Sequence, residues 1–283
     1  MTVVLVTGCS SGIGEATAAR LLKAGHTVYA TARRPETLET LAAAGARVLA
    51  LDVTDEASMI AAVKAIEGEH GSVGALVNNA GYGLQGPVEE TSMEEVRRQF
   101  ETNVFGLIRL TQLVLPGMRA AGGGRIVNVS SMGGRLTLPG GGFYHASKYA
   151  VEAFSDALRI ETAPFGIRVS VIEPGPVLTP WSEVAVDSIE EVPAGPYAQF
   201  RRDLGKGLES YYSGPKAKLA SSADDVARKI ERAITRGRPR PRYIVGPVAR
   251  AMITTRRLLP DRLWDFGMRT SYPVPKVPKV PKG

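Results

Sequence analysis

Tyr144 and Lys148 stand four residues apart in Tyr144-His145-Ala146-Ser147-Lys148. On a helix that spacing puts both side chains on one face, so a phenol hydroxyl and an ammonium can share one site. A free tyrosine, with a pKa of about 10, is a poor base at neutral pH, but a cation beside it favours the phenolate. A tyrosine tuned in this way can exchange a proton with an alcohol or carbonyl oxygen. Upstream, Val129-Ser130-Ser131 closes an apolar run, and Ser131 could donate a hydrogen bond to the same oxygen. Taken alone, a Tyr/Lys pair at this spacing is more often surface decoration, so the reading depends on what accompanies it.

A second constellation opens the chain. The apolar run Val3–Val6 leads directly into Thr7-Gly8-Cys9-Ser10-Ser11-Gly12-Ile13-Gly14 and then a helix-length segment. Gly8, Gly12 and Gly14 let a backbone approach a pyrophosphate, and the helix start supplies N–H donors and a partial positive charge. Ser10 and Ser11 add hydroxyls. The competing reading is a tight strand-to-helix turn with no ligand. Where a dinucleotide's adenosine ribose would meet the end of the second strand, this chain has Thr31-Ala32-Arg33-Arg34 and no carboxylate. A carboxylate there suits NAD, whereas a guanidinium suits the 2′-phosphate of NADP. Arg33 therefore favours NADP(H) over NAD(H), the alternative being a pair of solvated loop arginines.

The elements that must hold these residues alternate along the first two thirds of the chain. Strand candidates are Val3–Val6, Thr27–Thr31, Arg47–Leu51, Ala75–Val77, Arg125–Val129 and Arg168–Ile172. Between them Ile13–Lys23, Glu36–Ala43, Glu56–Glu69, Met93–Ala120 and Tyr144–Phe165 carry helical spacing of apolar residues. Continuous apolar strands, each followed by a helix, predict an α/β fold: one Rossmann-type, doubly wound parallel sheet with helices on both faces. At 283 residues the chain is long enough to bury a substantial core, and 44% hydrophobic with 22% charged residues excludes a largely disordered or fibrous protein. The single cysteine, Cys9, excludes an intrachain disulfide. No apolar run reaches membrane-span length, and the first residues lack the basic start of a signal peptide, so a soluble cytoplasmic protein is expected.

The glycine spacing T-G-x-x-x-G-x-G, together with Asn78-Asn79-Ala80-Gly81, Asn103, Ser131, the Tyr144/Lys148 pair and Pro174-Gly175, resembles the short-chain dehydrogenase/reductase family over roughly residues 2–180. The glycine spacing and length argue against its extended members, the epimerases and dehydratases. The resemblance implies hydride transfer between a nicotinamide and a carbonyl or alcohol carbon, with Tyr144 as general acid/base and Lys148 also holding the nicotinamide ribose. It implies that Asn103 holds a water linked to the lysine and that Asp52-Val53 lies near the adenine. It further implies that Asn79, Ala80 and Gly81 line the cofactor, and that Pro174, Gly175, Val177 and Thr179 reach the carboxamide. No metal is needed, and His26, His70 and His145 are too dispersed to suggest one. Homodimers or homotetramers through Met93–Ala120 and Tyr144–Phe165 are implied in the same way. Val28–Pro35 is similar to the steroid- and retinol-handling branch.

A lid over the substrate is expected at about 176–215, where five prolines break the rhythm and Leu178, Trp181, Val184, Val186, Tyr197, Phe200, Leu204, Leu208, Tyr211 and Tyr212 offer apolar walls. Tyr82 and Phe143 could also line the cleft. Such walls suit a bulky apolar ketone or alcohol, such as a steroid, retinoid or polyketide. The alternative is that most of these residues only pack the lid. The charge of +7 is uneven: Arg236–Gly283 holds 12 Lys/Arg against 2 Asp/Glu, while the rest holds 23 against 26. The cofactor domain is expected to span 1–248. A basic helical region at 249–270 could touch an anionic membrane or simply pack on the domain or another subunit, and no nucleic-acid motif accompanies it. The Val-Pro-Lys repeats of 271–283 predict a polyproline-like tail. A different class of protein, a dinucleotide-binding sensor or scaffold with a basic partner-binding end, would be expected to have lost Tyr144 or Lys148.

Overall fold

A computed structural model describes residues 1–189, 194–213 and 215–275. The first half runs β1 (Val3–Val6), α1 (Gly12–Lys23), β2 (Thr27–Ala32), α2 (Glu39–Ala43), β3 (Arg47–Ala50), α3 (Glu56–His70), β4 (Ala75–Asn78), α4 (Met93–Phe100), α5 (Gly106–Ala120) and β5 (Gly124–Val129). The second half continues α6 (Gly142–Thr162), β6 (Ile167–Pro174), β7 (Val177–Leu178), α7 (Trp181–Asp187), α8 (Ala198–Ser213), β8 (Ser221–Ser222), α9 (Ala223–Thr235), β9 (Arg242–Val245), α10 (Pro247–Leu258) and α11 (Asp261–Ser271). Seven strands form one sheet in the order β3-β2-β1-β4-β5-β6-β9, every pair parallel. The order reverses at β1, which lies between β2 and β4. A crevice opens at such a switch point, outside the carboxyl ends of the strands, and the ends of β1, β2, β4 and β5 all face it.

Each face of the sheet has its own core. On one side Val4, Val6, Ala30, Val77 and Val127 meet Ala18 and Leu21 of α1 and Val226 and Ile230 of α9. On the other, Leu5, Leu76 and Ile126 meet Met59 and Ile66 of α3, Leu110 and Val114 of α5, and Leu158 of α6. Helix starts are set locally. Asp55 accepts hydrogen bonds from the N–H groups of Ala57 and Ser58, while Ser92 with Glu95 and Ser222 with Asp225 form capping boxes.

Three sequence expectations change. The helix expected over Met93–Ala120 is interrupted by a π-helical turn at Glu101–Phe105. A π turn leaves the apolar period nearly intact while shifting the register, which is why periodicity does not reveal it. The basic region 249–270 is two helices parted at Leu259-Pro260, because proline's ring and missing N–H stop α10. No strand was expected in Pro176–Pro215, yet β7 pairs with β8 beside the main sheet. At two residues each, these strands are too short for alternation to register.

Candidate active site

The crevice at the switch point is a cleft of about 660 Å³. The turn between β1 and α1 forms one end. Gly8 and Gly12 have φ of +70° and +60°, conformations that side-chain-bearing residues rarely adopt. Gly14 stands so close to Gly8 that a Cβ on it would lie 2.1 Å from the Gly8 carbonyl oxygen. Ser11 is extended and gives α1 no side-chain cap, so the N–H groups of the first turn face the cleft without a competing hydroxyl. Gly8, Ser10, Ser11, Gly12 and Ile13 line it, while Gly14 acts one layer behind. This cradle fits a pyrophosphate.

The turn is held from β4. The Thr7 hydroxyl accepts the N–H groups of Asn79 and Ala80, both at 3.0 Å. The Asn79 amide returns bonds to the carbonyls of Thr7 and Gly8 at 2.9 and 3.1 Å. One residue earlier, the Asn78 amide ties Thr111 and Asn128 together inside the sheet. Asn79, Ala80 and Gly81 line the cleft as expected, and Asn79 is at the same time the clamp that shapes the glycine turn. Arg33, exposed, and Asp52 and Val53 line the cleft on the side of this cradle. The Asp52 carboxylate is engaged by the N–H and hydroxyl of Thr54.

Ser131, Tyr144 and Lys148 meet near the middle of the cleft. β5 delivers Ser131, and α6 presents Tyr144 and Lys148 from one face. Tyr144 is only 8% exposed, with its ring centre 5.4 Å from that of Trp181. Lys148 Nζ donates to the Val129 carbonyl at 2.9 Å and lies 5.9 Å from the centre of the Tyr144 ring. Burial pushes the Tyr144 hydroxyl up to about 12, opposed by a hydrogen bond with Ser131. Burial also draws Lys148 down to about 8. The expected lowering of the tyrosine by the lysine is therefore not what the protein alone shows: loss of solvent raises the phenol, and the group that opposes it is Ser131. At neutral pH the pair is a protonated phenol beside a largely protonated amine.

Asn103 sits on the π-helical turn, buried just behind the cleft wall rather than on it. Its side chain accepts the N–H of Tyr82 and donates to the Tyr82 carbonyl and the Ser147 hydroxyl. It thus fixes the segment after Gly81 to α6. Pro174, Gly175, Val177 and Thr179 run along the cleft from the end of β6, and a Cβ on Gly12 would touch Thr179.

Of the expected substrate residues, Tyr82 and Trp181 line the cleft with Leu204, Leu208 and Tyr212. Phe143 does not: one residue from Tyr144, it points about 100° away around α6. Leu178 is exposed, Phe200 is buried in the packing of the lid, and Tyr197 bonds Glu89 outside the cleft. The side chains of Val184 and Tyr211 lie outside the described residues.

Several walls were not foreseen. Met132, Leu138 and Pro139 come from the loop after β5, and Val248, Met252, Tyr272 and Pro273 from the C-terminal region. Ser271 closes α11, so the start of the supposed tail is a cleft wall; 276–283 lie outside the described residues. The spacing of Val248 and Met252 at i, i+4 was a readable signal, obscured by the arginines around them.

His145, far in sequence from the other two histidines, has a structural role: its Nδ1 accepts the Leu138 N–H at 3.2 Å and holds the loop after β5. That bond requires the neutral ring, and burial draws its pKa from 6.5 down to about 4. The folded-state value lies below the unfolded one, so the unfolded chain takes the proton first. The stability is complete above about pH 6.5 and is lost as pH falls through about 4, up to roughly 3 kcal/mol. Denaturant unfolding at several pH values should show His145→Gln losing less stability than wild type over this window. Equal losses would remove His145 from the account.

Residues 2–189 match the short chain dehydrogenase family. The chain is 37% identical over 276 residues to 3-ketodihydrosphingosine reductase of Bacteroides thetaiotaomicron, covering 96% of this chain and 98% of the relative. The closed form of serine dehydrogenase complexed with NADP+ superposes with a TM-score of 0.74 at 31% identity, covering 87% of this chain and 94% of that one. A short chain dehydrogenase/reductase of Burkholderia phymatum in complex with NAD gives 0.77 at 28% identity, with 98% of each chain covered. Both of those folds carry a nicotinamide dinucleotide, the class of ligand the glycine cradle fits. By its sheet order, its cleft and these relatives, this chain is an oxidoreductase of the short-chain dehydrogenase/reductase family.

Proposed function

We propose that the protein is an NADP(H)-dependent reductase of a bulky apolar ketone or aldehyde, or a dehydrogenase of the matching alcohol. The observation that carries this reading is one cleft holding the glycine cradle and Arg33 at one end, and Ser131, Tyr144 and Lys148 farther along it. Pro174, Gly175, Val177, Thr179, Asp52, Val53, Asn79, Ala80 and Gly81 complete the cofactor wall. NADPH, when bound, supplies the hydride.

The residues supply the proton and the geometry. Tyr144, protonated at neutral pH, donates to the carbonyl oxygen as that oxygen gains negative charge. An alkoxide is more basic than a phenolate, so the transfer runs downhill even from a raised pKa. Ser131 donates a hydrogen bond to the substrate oxygen or to the phenolate left behind. The Lys148 ammonium, held by Val129, stabilises that phenolate and reaches the ribose. Asn103 positions Tyr82 and α6, and a water on it would connect the lysine to solvent. Trp181, Leu204, Leu208 and Met252 shape a pocket for an apolar body. The long-chain keto substrate in the name of the Bacteroides relative has such a shape.

Assembly as a homodimer or homotetramer is supported by Phe105, Tyr149 and Ile160, all exposed on the long helices that such oligomers would pair. A cytoplasmic setting accords with the absence, among the described residues, of a helix able to cross a membrane.

The test is NADPH and NADH oxidation by the purified protein over ketones from small to steroid- and long-chain-sized. NADPH-dependent turnover of the larger substrates is expected; tight NADPH binding with no turnover on any of them would instead favour a sensor. Arg33→Ala should lower kcat/KM for NADPH by about 10- to 100-fold, the size of one charge-assisted phosphate contact, and leave NADH little changed. Equal loss with both cofactors would remove Arg33 from the 2′-phosphate.

A further inference from the structure

α10 and α11 each have two working sides. On α10, Val248 and Met252 face the cleft, and Ile253 packs with Leu136 and Trp264 in a small core. On α11, Trp264 and Met268 face that core, and the chain continues through Ser271 into Tyr272 and Pro273 on the cleft wall. Arg256 ties the two helices together, paired with Asp261 and lying over the Trp264 ring at 5.6 Å.

The outer side is unusual for a surface. At about 100° per residue, Arg262, Leu263, Phe266, Arg269 and Thr270 share one arc of about 120° on α11. Leu263 is 57% and Phe266 68% exposed, and Leu258 at the end of α10 is 75% exposed. Large apolar side chains this exposed, set among Arg257, Arg262 and Arg269, need a partner that is apolar beneath and negative above. Asp265 is the one carboxylate on this outer side besides the paired Asp261. A second copy meeting this face across a two-fold axis would bring arginine against arginine. An anionic bilayer satisfies both halves of the pattern: acyl chains for Leu258, Leu263 and Phe266, headgroups for the arginines.

We infer that the outer face of α10–α11 docks on an anionic membrane surface, so that an apolar substrate passes from the lipid into the cleft that these same helices wall. The inference rests on the proposed apolar-substrate reading for its purpose, but the docking itself does not depend on turnover. Ser271, the end of α11, is about one and a half turns beyond Phe266, so along the chain the exposed apolar patch comes just before Tyr272 and Pro273.

The experiment is co-sedimentation of the full chain with vesicles of phosphatidylcholine alone or with about a third phosphatidylglycerol. Binding to the anionic vesicles, weakened by salt, is expected, with little binding to the neutral ones. Leu263→Ser/Phe266→Ser and Arg262→Glu/Arg269→Glu should each weaken it by about tenfold or more. Neither pair lines the cleft, so turnover of a small water-soluble ketone should be unchanged. No binding to anionic vesicles, or binding that survives both double variants, overturns the proposal. So does a fall in native mass with either variant, which would make the face a subunit contact. Vesicle binding without activity on any ketone would leave docking standing and count against the substrate reading alone.

Discussion

Tyr144→Phe is expected to bind NADPH like the wild type and to reduce its ketone about a thousandfold more slowly, close to 4 kcal/mol in barrier. The substitution keeps the ring against Trp181 and removes one oxygen. Without it the carbonyl oxygen must take its proton from water with no side chain placed to deliver it, while Ser131 still donates only a hydrogen bond. Because burial holds the hydroxyl near 12, the wild type keeps its donor protonated across the neutral range. Single-turnover kinetics beside a cofactor-binding titration separate the two effects. Turnover within a few-fold of wild type would move the proton donor elsewhere, and lost NADPH binding would mean that Tyr144 is chiefly part of the cofactor wall.

Gly14→Ala carries the second large effect, by a different route. The added methyl would stand 2.1 Å from the Gly8 carbonyl oxygen and 2.7 Å from the Asn79 amide nitrogen. Both atoms belong to the clamp that shapes the turn, so the methyl is accommodated only if the turn opens. A cost of about 1–3 kcal/mol in stability follows from such overpacking, and dinucleotide affinity should fall about a hundredfold as the cradle moves. Gly68→Ala is the contrast. It lies inside α3 with nothing within 4 Å of its missing Cβ, and there alanine should stabilise by up to about 1 kcal/mol. Thermal unfolding and calorimetric titration of both variants test the pair. An intact cradle in Gly14→Ala would show the turn to be softer than its packing suggests.

Much of this architecture is written in local chemistry. Apolar runs of four to six residues, each followed by a helical period, can only be a parallel sheet covered on both faces, because strands buried on both sides have no polar face to alternate. Gly8, Gly12 and Gly14, and the Tyr144/Lys148 spacing, are equally local: each depends on residues within one turn of backbone. The capping box that opens α9 at Ser222 belongs to the same class of signal.

What the chain order could not reveal depends on distances between segments far apart. Residue types alone placed a lysine beside a tyrosine and predicted an acidic phenol, but the loss of solvent that raises it instead comes from the depth at which Tyr144 is buried against Trp181. The double duty of Asn79 needs Thr7, seventy-two residues away, to be in reach. The π-helical turn that sets Asn103 against Tyr82 and Ser147 costs the helix almost nothing in periodicity, so no pattern betrays it. The C-terminal walls of the cleft, Val248, Met252, Tyr272 and Pro273, lie in a stretch that charge and proline content describe as an appendage. Short-range order is dictated by spacing and backbone preference, whereas burial, and with it every shifted pKa and every wall of the cleft, exists only once the sheet has brought distant segments together.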